Sequence, residues 1–327
     1  MKKIISICTF AVLLTSCYQD IDLDHYKEQE GENILTLNSI VNPDSTIAAA
    51  ATKMYFYSDP HPERTYVSDL KIEMRVNGAS KGFMTFNPQT KLYGSQVIPE
   101  LGDKVELQTS YQGASVSCEG VIPDQVKIES IDATREGPKK IHTDKDYIIT
   151  YEVTFTDDGN AENYYFLQYD LPNTLEDRQK SVKMGERDFT NEYVFQQLAF
   201  QIRPSLPGWE PYSSSGLPFS DKGINGKKHT LVVKEIVQGG GFGHDLTRYD
   251  RMNREFKLYA ISKDYYDYLV SVLCTNSDSG IGNGLIDLGV SEPIKIFNNI
   301  KGGVGLFGTY TLDDQIVDVM KITGSFE

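Results

Sequence analysis

The sequence is poor in the residues that staple, span or catalyse. Its 327 residues include four cysteines, one tryptophan and five histidines. So few cysteines in so long a chain exclude a small disulfide scaffold, and the fold must rest on a buried apolar core. Positive charge is scarce: 32 Lys and Arg stand against 46 Asp and Glu, a formal net charge of −14. No basic cluster offsets this, which excludes a nucleic-acid-binding surface, because phosphates would be repelled. No long apolar run follows Leu14, so no later segment reads as a membrane-spanning helix. His25, His61, His142, His229 and His244 show neither His-Glu-x-x-His nor paired-cysteine spacing. The common zinc signatures are therefore missing, and no cofactor is expected.

The one long apolar run lies at the start. Met1-Lys2-Lys3 is followed by eleven residues, Ile4 to Leu14, and then by Leu14-Thr15-Ser16-Cys17 and Tyr18-Gln19-Asp20. The run is shorter than the roughly 20 residues that cross a bilayer. It reads as a secretory signal peptide. Its end resembles the bacterial lipobox, in which the cysteine is diacylated, the peptide is cut before it, and the new amino terminus is acylated. Cys17 is thus the expected lipidation site, and several acyl chains hold a protein firmly in a membrane. Loss of Lys2 and Lys3 with the signal lowers the net charge by two, to −16. Tyr18 to Glu32 then carries Asp20, Asp22, Asp24, Glu28, Glu30 and Glu32 against Lys27 alone. Such a stretch repels itself into an extended tether. Acidic residues in this place also resemble the surface-export signal of Bacteroidota lipoproteins.

Length suits two domains, and the pattern predicts two β-sandwich-like units. In the first, Lys71 to Val76 alternates polar and apolar residues and ends at Asn77-Gly78, a strong hairpin signal. Val105, Leu107, Thr109 and Tyr111 share one face, and Gln112-Gly113 turns the chain into Ala114, Val116 and Cys118. Ile34 to Val41 and Met54 to Tyr57 complete a first sandwich of immunoglobulin or transthyretin type. Val121-Ile122-Pro123-Asp124 marks the joint, since proline cannot donate to a ladder. Beyond it, strands are expected around Ile149–Phe155, Tyr164–Tyr169, His229–Lys234 and Phe256–Ile261. One amphipathic helix is expected at about 262–274. Ser262 suits its N-cap, and Tyr266, Leu269, Val270 and Leu273 form its apolar stripe. The domains are therefore 1–16, signal; 17–32, lipidated cysteine and tether; 33–122, first sandwich; and 123–327, second β-rich domain. Cys118 and Cys274 are expected as two buried thiols.

Chemical motifs are weak. Gly78-Ala79-Ser80-Lys81-Gly82 fits G-x-S-x-G but sits in a hairpin turn, whereas a nucleophile elbow needs a strand, a turn and a helix. Gly239-Gly240-Gly241-Phe242-Gly243 lacks the Lys-Ser/Thr ending of a phosphate loop. Asp158, Asn160 and Glu162 have calcium-like spacing, but the full twelve-position pattern is absent and a plain turn is favoured. No carboxylate pair stands out for glycoside hydrolysis. The segment Arg203 to Asp221 holds four prolines and the only tryptophan, Trp209, with Tyr212 and Phe219. A stiff aromatic loop suits partner contact, and its aromatics could equally cover the sheet.

Five blocks recur together in one family: VIPD; Asn163–Tyr169, NYYFLQY; Phe219–Leu231, FSDKGINGKKHTL; Phe256–Val272, FKLYAISKDYYDYLVSV; and Glu292–Gly308, EPIKIFNNIKGGVGLFG. In these the chain resembles the Bacteroidota lipoproteins that carry a domain of unknown function numbered 4249, over essentially its whole mature length. IDLGVSEP departs from the family, which often has a Pro-Phe pair before this Glu-Pro. The resemblance implies an outer-membrane lipoprotein often encoded beside a TonB-dependent receptor, and it supplies no catalytic residues. The expected function is therefore binding or docking at an uptake receptor. A surface hydrolase without a visible motif, or an adhesive module, is the alternative. The glycines of the last block, Gly302, Gly303 and Gly305, predict a tight turn between core strands rather than a ligand cradle.

Overall fold

The computed structural model describes residues 34–54, 65–139, 146–171, 186–189, 191–202, 216–237, 253–276, 295–318 and 321–322. The first part of the chain forms β1 (Leu35–Val41), β2 (Ala48–Lys53), β3 (Glu73–Val76), β4 (Ala79–Phe83), β5 (Thr85–Asn87), β6 (Leu92–Gly94), β7 (Lys104–Tyr111) and β8 (Ala114–Val121). Next come β9 (Ile128–Lys139), β10 (Asp146–Thr156), β11 (Tyr164–Asp170), β12 (Glu186–Asp188) and α1 (Tyr193–Ile202). The chain continues through β13 (Gly216–Ser220), β14 (Lys228–Val237), β15 (Arg254–Ile261), α2 (Lys263–Asn276) and β16 (Phe307–Val317).

The local signals act where the sequence puts them. Asn77 and Gly78 both take positive φ, 52° and 76°, and join β3 to β4. Gln112 and Gly113 do the same between β7 and β8, at 50° and 84°. Two positive φ values give the turn whose twist matches paired strands. Ser262 caps α2: its hydroxyl accepts from the Tyr265 amide at 3.3 Å. Tyr266 of the expected stripe is buried, and Leu269, Val270 and Leu273 pack half-buried on the sheet beneath.

Two sandwiches result. In the first, the sheet β4-β3-β7-β8 faces the β1-β2-β6-β5 part of an eight-stranded sheet. Met74, Val76, Val105, Leu107, Val116 and Cys118 meet Leu35, Leu37, Val41, Ala49 and Ala51 between them. In the second, the sheet β12-β14-β10-β9 faces the other part, β13-β11-β15-β16. Tyr151, Val153, Phe155, Leu231 and Val233 there meet Tyr165, Leu167, Tyr169, Phe256 and Leu258. Ile122 belongs to the first core and Val126 to the second.

The sheet that joins the sandwiches does not respect chain order. Its strands run β13-β11-β15-β16-β1-β2-β6-β5, and β16 lies parallel to β1. The last part of the chain thus returns to the first core, where Ile300 and Phe307 are buried. The segment before β16 bridges both sheets of the first sandwich. Lys301 exchanges backbone hydrogen bonds with Ser117 of β8, at 2.9 and 3.0 Å. Val304 then exchanges them with β1, donating to Leu35 and accepting from Leu37. This passage needs the glycines. A Cβ on Gly302 would sit 2.0 Å from the Ser115 carbonyl oxygen, and one on Gly305 would sit 2.1 Å from that of Leu37.

Ala48 to Ala51, good helix formers, are in β2, where Ala49 and Ala51 face the core and β1 supplies the backbone partners. Some elements differ from, or add to, those expected. The expected strand at Met54–Tyr57 lies mostly outside the described residues. A second helix, α1, buries Val194, Phe195 and Leu198 against the second core. The Pro-rich segment ends in a strand, β13, which tolerates Pro218 because it is the edge of its sheet.

Cys118 and Cys274 are thiols rather than a disulfide. Burial pushes the Cys118 thiol up to about 12 and raises that of half-buried Cys274. Because the thiolate is the nucleophile, a water-soluble alkylating reagent should modify Cys274 first and Cys118 only on unfolding. Peptide mapping after timed labelling checks this, and equal rates in the native protein would contradict it.

Candidate functional site

Of the residues singled out for function, Cys17, Trp209 and Tyr212 lie outside the described residues. Phe219 does not lie on a contact loop. It stands in β13 with no exposed surface, its ring 5.3 Å from that of Tyr165, 5.4 Å from that of Phe195 and 6.1 Å from that of Phe155. Fully burying a phenylalanine stabilises by about 1.5–3 kcal/mol, which favours the core over a surface role. Phe219 is therefore removed from the candidate partner contacts.

Asp158 and Asn160 form a local turn: the Asp158 carboxylate accepts from both the backbone and the side-chain amide of Asn160. Among the described residues no three His, Cys, Asp or Glu side chains converge on a metal position. The neighbouring buried carboxylates hold the fold together. Asp157 accepts from the Tyr165 hydroxyl and, at 2.6 Å, from the Gly226 amide, so it ties β10 to the turn before β14. Asp221, whose carboxyl burial pushes above its ordinary range, accepts from the Asn163 amide at 2.8 Å. Glu192, just ahead of α1, accepts from the Val232 amide and so supplies a ladder partner to β14.

A further polar group lies inside the second core. Arg254 and Glu235 are both fully buried and meet in a two-point pair, Nε to Oε2 at 3.0 Å and Nη2 to Oε1 at 3.1 Å. The Tyr151 hydroxyl donates to the same carboxylate at 3.0 Å. Burial alone would lower the Arg254 pKa, but Glu235 more than offsets this and holds the guanidinium above its ordinary range. The Tyr151 ring in turn packs on those of Tyr169 and Phe256, which stack on each other.

The open feature of this half is a seam between the two sheets of the second sandwich. Among the described residues β1 pairs with β16 only as far as Thr309. The joint between the cores runs beside the next part of β16, held mainly by β16 side chains. Thr309 Oγ1 donates to the Val121 carbonyl, Thr311 Oγ1 to that of Asp124, and the Gln315 side chain to that of Ile128. Asp313 accepts from the Ile128 amide at 2.8 Å. Four polar residues at alternate positions thus fasten an extended chain along β16. Past Gln315 the chain turns away as β9, which among the described residues is an edge strand paired with β10 alone. A cleft of about 470 Å³ opens between β9 and the end of β16. Ile131, Ala133, Val317 and Ile322 line it and also pack on the second core. Asp132 and Gln315 stand at its rim with the ion pair Asp318–Lys321, at 3.1 Å. Sequence reasoning missed this cleft. The only local trace is the polar alternation Thr309, Thr311, Asp313, Gln315.

No helix of the described residues is long and apolar enough to cross a membrane. No curated protein matches the chain. Among solved structures, a membrane anchored protein from Corynebacterium diphtheriae is 10% identical, with 70% of this chain and 54% of that one covered and a TM-score of 0.21. A glycosyl hydrolase family 2 member from Bacteroides cellulosilyticus DSM 14838 is 11% identical, with 69% and 27% covered and a TM-score of 0.20. This chain spans about half the length of the first and about a quarter of the second. Such low superposition carries no argument about either protein's role. The family comparison is decisive: the model of a domain of unknown function, DUF4249, matches residues 19–316, from ahead of β1 into β16, so this chain belongs to the DUF4249 family.

Proposed function

We propose that the protein is a lipoprotein of Bacteroidota type, anchored in the outer membrane by acyl chains on Cys17 and facing the cell exterior. There it docks on a TonB-dependent receptor and helps it capture a ligand. The observation that carries this reading is the sequence itself: a short apolar run, then Leu14-Thr15-Ser16-Cys17, then an acidic stretch. Anchoring confines a protein to the membrane plane and raises its effective concentration near a receptor, so a weak interface suffices. The fold is compatible with a binding role. The buried carboxylates Asp157, Glu192 and Glu235 hold strands and turns in place. Trp209 and Tyr212 remain the candidate receptor contacts on the sequence argument.

Cells fed a clickable fatty acid should label the wild-type protein and leave Cys17→Ala unlabelled. Equal labelling of both would end the lipoprotein reading. For docking, intact cells induced for the gene should be cross-linked and the outer membrane solubilised. A tagged copy should then retain a TonB-dependent receptor, and its absence would overturn that part alone.

A further inference from the structure

The geometry points to the cleft between β9 and the end of β16 as a docking site for an extended peptide segment of a partner protein, bound by strand addition. The segment has apolar side chains at alternate positions and basic ones between them.

The same seam already holds an extended chain. From Val121 to Ile128 the backbone runs along β16, fastened by Thr309, Thr311, Asp313 and Gln315. At Ile128 that chain leaves to pair with β10, and the seam continues without it. There, among the described residues, the strands present edges: β9 is terminal in its sheet, and β16 pairs beyond Thr309 only with β15. A strand edge offers unpaired N–H and C=O groups to an incoming chain. Side chains of an added strand alternate between two directions. One set would meet Ile131, Ala133 and Val317 on the floor of the cleft. The other would face the rim, where Lys321 is already paired with Asp318 and exposed Asp132 makes no ion pair among the described residues. With a net charge of −14 behind it, this rim selects basic over acidic segments. Ile316, 57% exposed at the end of β16, adds apolar surface beside it. The proposal concerns the cleft itself and does not depend on the receptor reading above.

The test uses the mature lipidated protein in a non-ionic detergent. The probe is a fluorescein-labelled peptide of about ten alternating valines and lysines, a common strand length, read by fluorescence anisotropy. Saturable binding is expected. The same peptide N-methylated on alternate backbone amides keeps its charge but cannot extend a ladder, and should bind at least about tenfold more weakly. Asp132→Lys should weaken the unmethylated peptide similarly and leave the melting temperature unchanged, because Asp132 is exposed. Equal binding of the methylated peptide would reduce the effect to charge attraction and overturn the proposal. So would unaltered binding by Asp132→Lys, or no saturation up to about 1 mM. A chain ended after Ile322 that binds about tenfold more tightly would assign the cleft to the protein's own tail instead. A dimer abolished by Ile316→Glu would assign it to a second copy.

Discussion

Gly305→Ala should destabilise the protein by about 3–5 kcal/mol, a large part of the 5–15 kcal/mol that holds an ordinary domain folded. Two effects act together. Gly305 has φ of 128°, a conformation that residues with a Cβ adopt only under strain. The added methyl would also stand 2.1 Å from the Leu37 carbonyl oxygen and 2.9 Å from the Asn38 side chain. Neither neighbour moves freely. The Asn38 carboxamide accepts from the Leu306 amide, and the chain on either side of Gly305 is bonded to β1. Gly113→Ala is the control. It too has positive φ, 84°, but nothing lies within 4 Å of the new methyl. It should cost only about 1–2 kcal/mol. Urea denaturation of the two variants separates strain from collision. If Gly305→Ala proves no worse than Gly113→Ala, the close passage between the sheets is wrong. The consequence reaches beyond one residue. The chain at 300–309 completes the first core, so a fragment ending at Ile122 lacks Ile300, Phe307 and the parallel partner of β1.

The second large effect concerns Arg254 and Glu235. Arg254→Met should cost about 3–5 kcal/mol, because it leaves a buried carboxylate without its cation. Arg254→Met with Glu235→Leu should recover most of that loss, since an apolar pair of similar volume avoids desolvating any charge. Recovery is limited by the Tyr151 hydroxyl, which loses its acceptor on Glu235. Denaturation of the wild type, Arg254→Met and the double variant under one condition gives the comparison. A double variant as damaged as the single one would show that the pair contributes more than charge balance.

The parts of this fold that were legible in the sequence are those decided within a few residues. Asn77-Gly78 and Gln112-Gly113 fix hairpins because their φ preferences are local. Ser262 fixes a helix start because its hydroxyl reaches an amide three residues on. Alternation in β7, β10 and β15 gave the buried faces directly. The amino-terminal pattern, ending at Cys17, is likewise a contiguous signal and carries the functional proposal without help from the fold.

Other features were settled between distant segments. Phe219 looked like a loop aromatic because prolines surround it. Pairing to β11 places Pro218 on an edge and Phe219 under α1, and nothing near it in sequence records either partner. The carboxylates of Asp157 and Glu192 are tied to amides 69 and 40 residues away. The glycines of the last block suggested a tight turn between core strands. That they pass between β8 and β1, more than 180 residues earlier, follows only from the parallel return of β16. The cleft beside β9 is of the same kind: two strand edges that each look ordinary in sequence border one cleft only because the sheets bring them together. By itself the sequence determined most of the longer strands, two of the hairpin turns, one helix and the expected anchor, since each depends on neighbouring residues. Tertiary structure alone decided which edges meet, which charges are buried and where the surface stays open, because those depend on contacts between residues far apart in the chain.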